Sequence, residues 1–176
     1  MKCRQNWSNN CENALNLQIQ MEYEASLTYH MISNYFNRDD VGINILAKYF
    51  SDASKEEREH ADNLMHYQNM RGGIVNLPAI SAREIMFVNN SSLVENDILE
   101  SFICALNLEK EVNESLINLH HIADQEKDPQ FCDYLEGNYL NEQVDSISKI
   151  SKHISIIERF GKDQHGIWNY LKSELE

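Results

Sequence analysis

Apolar residues recur at spacings of four and three along four segments of this sequence, and a side chain that can bind a metal interrupts each repeat near its middle. Residues with this spacing lie along one face of an α-helix. Glu22 interrupts the first stripe, and Glu57 and His60 interrupt the second. Glu109 and Gln143 interrupt the third and the fourth. The pattern therefore predicts four amphipathic helices whose buried faces each carry a polar group.

Clear start and stop signals separate these helices. The chain has only two prolines and six glycines, which favours long helices over many short strands. Gly72 and Gly73 suit a helix end, whereas Asp128 and Pro129 suit a cap and a first helical position. The predicted helices span about 10–37, 43–70, 93–125, 129–159 and 163–174, with a long connection at 72–93.

These lengths and links predict one all-α domain over residues 1–176. Short links join the first helix to the second and the third to the fourth, whereas the middle link is long enough to run the length of a bundle. The predicted fold is a four-helix bundle with one long crossover connection and a short fifth C-terminal helix. An extended coiled coil is the alternative, but it requires an unbroken heptad repeat, and the breaks argue against that.

The polar interruptions indicate a metal site in the bundle core. Three carboxylates converging in a core would cost several kcal/mol each without a counter-charge, and the stripes offer no lysine or arginine. A bound cation is the simplest compensation. Carboxylates with one imidazole suit iron or manganese, and three or four carboxylates can hold two divalent ions, with Glu57 as the bridge. Glu59, Asp62 and Glu114 lie outside the stripes and are expected to be solvated.

Composition limits the kinds of molecule that this protein is expected to bind and the compartment in which it is expected to occur. The net charge of −13 argues against nucleic acid and suits the uptake of cations. No apolar run is long enough to span a membrane, and the N-terminal residues resemble neither a signal peptide nor a transit peptide. The four cysteines show no CxxC spacing, so a reducing cytoplasm is the expected location.

Eight segments spread over almost the whole chain carry a family resemblance: RQNW, FNRDDVG, AKYF, EEREHADNLM, QNMRGG, ALNLEKEVNESL, DPQFCDYLEGNYLNEQV and GIWNYL. In this order they resemble a ferritin subunit of the heavy-chain type, and inward-facing glutamates with ExxH are a general pattern of ferritin-like bundles. EEREHA and LNEQV are the most specific matches. The segment between the second and third helices is several residues longer than is usual in that family.

The resemblance implies iron storage. Fe(II) would be oxidised by dioxygen at a di-iron ferroxidase centre, and Fe(III) mineral would be deposited inside a cage of 24 subunits, either of one kind or mixed with a second ferritin subunit. Other divalent cations would be able to occupy the same sites. The ferroxidase residues implied by the resemblance are Glu22, Tyr29, Glu56, Glu57, His60, Glu109 and Gln143.

Three further groups of residues follow from the same resemblance. Mineral nucleation would use Glu56, Glu59 and Asp62. A three-fold entry channel would be lined by His120, Cys132, Asp133 and Glu136, although Asp133 and Glu136 can also be read as an acidic pair at a helix start. A four-fold pore would be lined by the apolar face of the fifth helix, with Ile167, Leu171 and Leu175.

Related families offer alternatives. A light-chain type subunit would be structural, only nucleating mineral, but it would lack several of the ligands present here. Bacterioferritins and rubrerythrin-like proteins carry ExxH on two helices, whereas the fourth helix here has Gln143. Dps-like proteins normally lack the fifth helix.

Overall fold

Helices account for the regular structure in the described part of the chain. The structure is a computed structural model, and it describes residues 2–89 and 96–175. Its elements are α1 (Asn9–Phe36), α2 (Asn44–Met70), α3 (Met86–Asn89), α4 (Asp97–Gln125), α5 (Pro129–Leu135), a π-helical turn (Glu136–Leu140), α6 (Asn141–Phe160) and α7 (Gln164–Leu175). No strand occurs in these two ranges. The prediction of an all-α bundle with a short C-terminal helix is confirmed.

Two helical hairpins form the bundle. α1 packs along α2, α4 packs along α6, and α1 also contacts α4. The helix expected from about residue 93 is observed from Asp97; residues 93–95, and 90–93 of the expected connection, lie outside the described ranges. None of the helices in the described ranges combines the length and apolar character that a membrane span requires.

Side chains cap three helices at their first turn. Ser8 Oγ accepts a hydrogen bond from Cys11 N at 3.0 Å and so caps α1. Asn96 caps α4 and Asp128 caps α5 in the same way, each with an N–H···O distance of 3.1 Å. Such caps satisfy backbone donors that a helix leaves without partners, and they set where each helix begins.

α1 holds the crossover connection through polar side chains one turn apart. Asn16 Nδ2 donates to Ile74 O at 3.0 Å, and Asn76 N donates to Asn16 Oδ1 at 3.1 Å. One turn later, Gln20 Nε2 donates to Ala79 O at 2.9 Å. These bonds supply partners for backbone groups that have no helix or sheet around them.

The hairpin of α1 and α2 is closed by two serines. Ser26 Oγ donates to Ser54 O at 2.7 Å, and Ser54 Oγ donates to Ser26 O at 2.8 Å. Both side chains are small and buried, so the two backbones approach closely at this level. The close approach lies one turn from Glu22 on α1 and from Glu57 on α2.

A π-helical turn interrupts the helix that the sequence predicts over 129–159. The buried residues Phe131, Leu135, Tyr139 and Gln143 follow one another at intervals of four. An α-helix has 3.6 residues per turn, so a strict interval of four would rotate these side chains away from the core. The wider turn at Glu136–Leu140 absorbs the excess and keeps Gln143 pointed inward.

α7 lies against α2 and α6. Ile167 and Leu171 have no exposed surface, and Leu175 is partly buried. Within one subunit, the side chains of Ile167 and Leu171 therefore pack into the core. Their place in a four-fold pore between subunits stays a prediction. The phenol oxygen of Tyr170 lies 2.7 Å from Nδ1 of the buried His153, which links α7 to α6.

Arg71 makes polar contacts with three parts of the chain: the N-terminal segment, α2 and the residue that caps α5. Its Nη2 lies 2.5 Å from Asp128 Oδ2 and donates to Asn6 O at 2.8 Å, while Nη1 donates to the Tyr67 hydroxyl at 2.6 Å. The guanidinium also lies 4.6 Å from the ring centre of Trp7. Asp128 is 2% exposed, so its charge depends on Arg71 for compensation.

We expect Asp128→Ala to lower the free energy of unfolding by about 3 kcal/mol, because it removes the α5 cap and leaves Arg71 unpaired in a largely buried position. Denaturant or thermal unfolding followed by circular dichroism measures the loss. The matched control is Asp52→Ala, which removes an exposed partner of Lys48 and Lys55 and is expected to cost about 0–1 kcal/mol. Equal losses in the two variants would contradict the role given to Arg71.

Candidate metal centre

Four helices each bring at least one polar side chain to the same level of the bundle core. Glu22 comes from α1, Glu57 and His60 from α2, Glu109 from α4 and Gln143 from α6. The exposed fractions are 0% for Glu22, 4% for Glu57, and 5% for both Glu109 and Gln143. The stripe pattern therefore placed these side chains correctly at buried positions.

Glu22, Glu57 and His60 form the tightest group. One potential ligand atom from each lies within 4.8 Å of the others. His60 Nδ1 is 3.2 Å from Glu57 Oε2, as expected for residues three apart on one helix face. This spacing allows one ion to contact all three side chains.

Two residues outside the stripe pattern hold Glu22 in place. Gln18 Nε2 donates to Glu22 Oε1 at 2.7 Å, and Ser115 Oγ donates to Gln18 Oε1 at 2.6 Å. Glu22 Oε2, by contrast, is buried and has no hydrogen-bond partner. One oxygen of the carboxylate is thus fixed by the protein, and the other is available to a cation.

Glu109 is held in a comparable way. The Tyr29 hydroxyl donates a short hydrogen bond to Glu109 Oε1. Gln143 and Glu57 lie close enough to Glu109 to oppose the rise in its pKa, while Gln143 Oε1 is buried without a partner. Glu57 contacts Glu22 as well, so it stands between the Glu22 side and the Glu109 side of the cluster.

Burial changes the titration of all three carboxyl groups. Desolvation raises the pKa of Glu22 well above its usual range, and the charge of Glu57 raises it further. Desolvation, followed by the charge of Glu109, has the same effect on the pKa of Glu57. The pKa of Glu109 is also raised by burial, although hydrogen bonds from Tyr29 and Gln143 oppose the shift. Without a cation, these groups therefore tend to retain protons.

A cleft of about 450 Å³ connects the cluster to the surface. Glu56, Glu59 and Glu142 line it beside His60. Glu142 Oε1 lies 3.2 Å from His60 Nε2, so His60 stands between two carboxylates. Burial, together with the charge of Glu142, raises the pKa of Glu56. Glu142 could not be identified from the apolar spacing, because it lies outside the apolar stripe of its helix.

The donor set fits a hard or borderline divalent cation. It offers carboxylate oxygens, one amide oxygen and one imidazole, with no thiolate. In the described parts of the chain, no lysine or arginine forms an ion pair with Glu22, Glu57 or Glu109. The two buried oxygens without partners, Glu22 Oε2 and Gln143 Oε1, have the chemistry of open metal ligands.

The residues expected to nucleate mineral separate into two places. Glu56 and Glu59 are exposed side chains that border the cleft together. Asp62 instead accepts a hydrogen bond of 2.9 Å from the Tyr23 hydroxyl on α1. The helical rotation between residues 59 and 62 turns Asp62 toward α1, so the expected trio does not form one group. Glu114 is exposed, as predicted for a solvated position.

The residues expected to line a three-fold channel gather at the junction of α4, α5 and the π-helical turn. His120 Nε2 lies 2.7 Å from Glu136 Oε1. Asp133 is exposed and Cys132 is half-buried. The structure thus provides an acidic surface here.

Comparisons with known proteins find relatives over almost the whole chain. The Ferritin-like domain family matches residues 12–160. A chloroplastic ferritin of Malus baccata var. xiaojinensis is 47% identical over 173 residues, which is 98% of this chain and 68% of the relative. The chloroplastic ferritin of Phaseolus vulgaris is 44% identical over 98% of this chain and 66% of the relative. Ferritin-1, chloroplastic, of Nicotiana tabacum is 44% identical over 96% and 65%. The chain spans about two thirds of the length of these relatives.

These relatives also correct one expectation. The cysteine pattern and the N-terminal residues predict a cytoplasmic protein, but this prediction is contradicted by the similar proteins, which are chloroplastic ferritins. The free thiols that suggested the cytoplasm report only on the absence of disulfides among the described cysteines. They do not distinguish one reducing compartment from another.

We expect binding of Zn²⁺ or Co²⁺ to the metal-free protein to release protons, because a cation displaces the protons that the raised pKa values keep on Glu22, Glu57 and Glu109. Affinity should therefore rise as pH increases. Titration calorimetry in two buffers of different ionisation enthalpy counts the protons. Glu57→Gln should weaken binding and reduce proton release, whereas the exposed control Glu114→Gln should change neither. Binding without proton release would contradict the assigned protonation.

Proposed function

The chain belongs to the ferritin family, and on this premise we propose that it stores iron. Fe(II) binds at the buried cluster between α1, α2, α4 and α6 and is oxidised there by dioxygen. Fe(III) then passes to a mineral inside a cage of 24 subunits, the assembly typical of the family. The observation that carries the proposal is the convergence of three buried carboxylates without a lysine or arginine partner among the described residues.

The contacts within the cluster suggest a role for each ligand. Glu22 and His60 hold one Fe(II) ion, since their donor atoms lie close together with Glu57. Glu109 holds the second ion. Glu57 contacts both sides and bridges the pair. Gln143 offers a neutral oxygen, which binds a cation more weakly than a carboxylate, so Fe(III) is able to leave the second position.

The proton and electron balance follows from these assignments. Two Fe(II) ions give one electron each to dioxygen, which takes up two protons and becomes hydrogen peroxide, leaving two Fe(III) ions. The carboxyl groups with raised pKa values release protons when Fe(II) binds, so protons are available at the site. Tyr29 keeps Glu109 Oε1 engaged and directs its other oxygen toward the metal.

The cleft provides a route away from the centre. Glu142 lies against His60, and Glu56 and Glu59 lie farther along the same opening. We propose that Fe(III) moves past Glu142 to Glu56 and Glu59, where these exposed carboxylates start the mineral. Asp62 is not on this route, because it bonds to Tyr23.

A structural cage subunit is the second candidate. Such a subunit would assemble and nucleate mineral without oxidising Fe(II) rapidly. The complete set of buried ligands favours the catalytic alternative. Size measurement of the purified protein, followed by addition of Fe(II) in air with ferric absorbance recorded, separates the two.

We expect Glu57→Ala combined with His60→Ala to abolish rapid Fe(II) oxidation, because the variant loses the bridge and the only imidazole of the cluster. Assembly should survive, and the metal-free bundle should tolerate the loss of a buried charge. Stopped-flow absorbance measures oxidation and light scattering measures size, with Glu114→Ala as the control. Unchanged kinetics in an intact double variant would refute the site.

Iron entry is proposed at the acidic surface around Glu136. Asp133 and Glu136 from three subunits would form a funnel that concentrates cations. Asp133→Asn with Glu136→Gln keeps the shape and removes the charge. We expect oxidation at low ionic strength to slow by about 10-fold or more, since electrostatic focusing changes association rates by that order.

This loss should shrink as salt is added, because salt screens the focusing field. The matched control is Asp39→Asn with Asp40→Gln, a pair of exposed acidic residues between α1 and α2. Equal rates for the wild type and the channel variant at low salt would show that iron enters elsewhere.

A further inference from the structure

Aromatic rings form a continuous row that starts at the candidate metal ligand His60. The ring centre of Tyr139 lies 5.5 Å from that of His60, and Tyr134 lies 5.8 Å beyond Tyr139. Tyr67 stacks on Tyr134 with ring centres only 4.0 Å apart and planes 15° from parallel. Trp7 follows at 5.8 Å from Tyr67. Each step is within the range of direct aromatic contact.

The composition of this row differs from that of the rings around Tyr29, the tyrosine that bonds to Glu109. There, Tyr29 stacks on Phe50, and Phe50 packs against Phe36 and Phe102. Phenylalanine is not readily oxidised, whereas tyrosine and tryptophan lose one electron at accessible potentials. Tyr29 and Tyr49 both contact Phe50, so an electron that moves between them toward the centre by way of Phe50 meets a ring that is not readily oxidised. The row from Tyr139 to Tyr67 consists of oxidisable rings throughout.

Charge and solvent determine where an oxidised ring would be stable. Arg71 lies 4.6 Å from the ring centre of Trp7, and its positive charge disfavours a tryptophan radical cation. A tyrosine that loses an electron also loses its proton and becomes neutral. Tyr134 is only half-buried, and a groove of about 520 Å³ runs along Tyr67, Tyr134 and Tyr139. The groove opens Tyr134 to solvent, which takes up the phenol proton, so the row favours Tyr134 as its end point.

We propose that Tyr139, Tyr134 and Tyr67 form a relay that supplies single electrons to the metal centre. The relay acts when one Fe(II) ion meets hydrogen peroxide, the product of dioxygen reduction in the proposed function, on which this inference rests. Reduction of hydrogen peroxide to hydroxide and water requires two electrons. A lone Fe(II) ion supplies only one, which breaks the O–O bond but leaves a hydroxyl radical. The tyrosine row supplies the other and prevents release of a hydroxyl radical.

The step balances in atoms and charge. Fe(II), hydrogen peroxide and a tyrosine give Fe(III), hydroxide, water and a neutral tyrosyl radical. The O–O bond breaks, Fe(II) and the phenol lose one electron each, and the phenol proton ends in water. A later Fe(II) ion restores the tyrosine by giving one electron, while one proton is taken from solvent.

The first experiment adds one Fe(II) per subunit anaerobically, then hydrogen peroxide, and freezes the assembled protein for electron paramagnetic resonance. Wild type is expected to give a tyrosyl signal that changes its splitting when ring-deuterated tyrosine is incorporated. Tyr139→Phe is expected to lose most of that signal and to raise the yield of spin-trapped hydroxyl radical. The control Tyr170→Phe alters a tyrosine that bonds to His153 outside the row, and it should leave the signal unchanged.

Two results of this experiment overturn the relay. One is Fe(II) oxidation in wild type without any tyrosyl radical, which leaves the proposed function standing. The other is a radical that persists in Tyr139→Phe but disappears in Tyr29→Phe, which would place the oxidation on the Phe50 side.

A metal-free measurement separates failure of the relay from failure of the proposed function. In Trp168→Phe protein, azidyl radicals from pulse radiolysis oxidise Trp7, and absorbance follows transfer from indole to phenol. We expect first-order transfer that slows in Tyr67→Phe. An identical rate in that variant overturns the row as an electron path. If electrons move along the row but the protein does not oxidise Fe(II), the proposed function is overturned and the row remains an electron path.

Discussion

The rest of this structure depends on one constraint: three carboxylates are buried in a core where no described lysine or arginine pairs with them. Glu22, Glu57 and Glu109 cannot all be ionised at a reasonable cost unless a cation lies among them. Without the cation, retained protons lower the charge of the cluster. Hydrogen bonds from Gln18 to Glu22 and from Tyr29 to Glu109 stabilise the carboxyl groups as well. The bundle therefore has to be stable for other reasons, and its apolar layers, helix caps and the Arg71–Asp128 pair provide that stability.

Two local features of the helices bring the buried polar side chains to the same level of the core. The paired serines draw α1 and α2 together beside the cluster, which brings Glu22 close to Glu57 and His60. The π-helical turn adjusts the rotation of the α5–α6 rod, so Gln143 reaches the same level from the other side. Both devices are local departures from uniform helix packing, and both occur within about two turns of the ligands.

Much of this arrangement could be predicted because it follows from helical period. Glu22, Glu57, Glu109 and Gln143 lie in phase with apolar neighbours, so their burial can be read from spacing alone. Gln18 and Glu142 could not be found this way: the first acts through Glu22, and the second lies beside the stripe. The position of Ile167 and Leu171 could not be predicted either, because an apolar face does not specify whether its own subunit or a neighbour covers it. The hydrogen bond between Tyr23 and Asp62 could not be predicted either, because the sequence does not say which residue of the facing helix lies opposite a given polar position.

The two tryptophans of the chain stand in opposite surroundings. Trp7 is 4% exposed beneath Arg71 at one end of the bundle, whereas Trp168 is 46% exposed on α7. The wavelength of indole fluorescence depends on the polarity of the surroundings, so the two tryptophans respond to changes in different parts of the protein. Trp168 offers an intrinsic optical signal for whatever covers or releases the C-terminal helix, and Trp7 for the integrity of the junction between the N-terminal segment, α2 and α5. Single-tryptophan versions of the protein would thus follow assembly and unfolding separately, without an added dye.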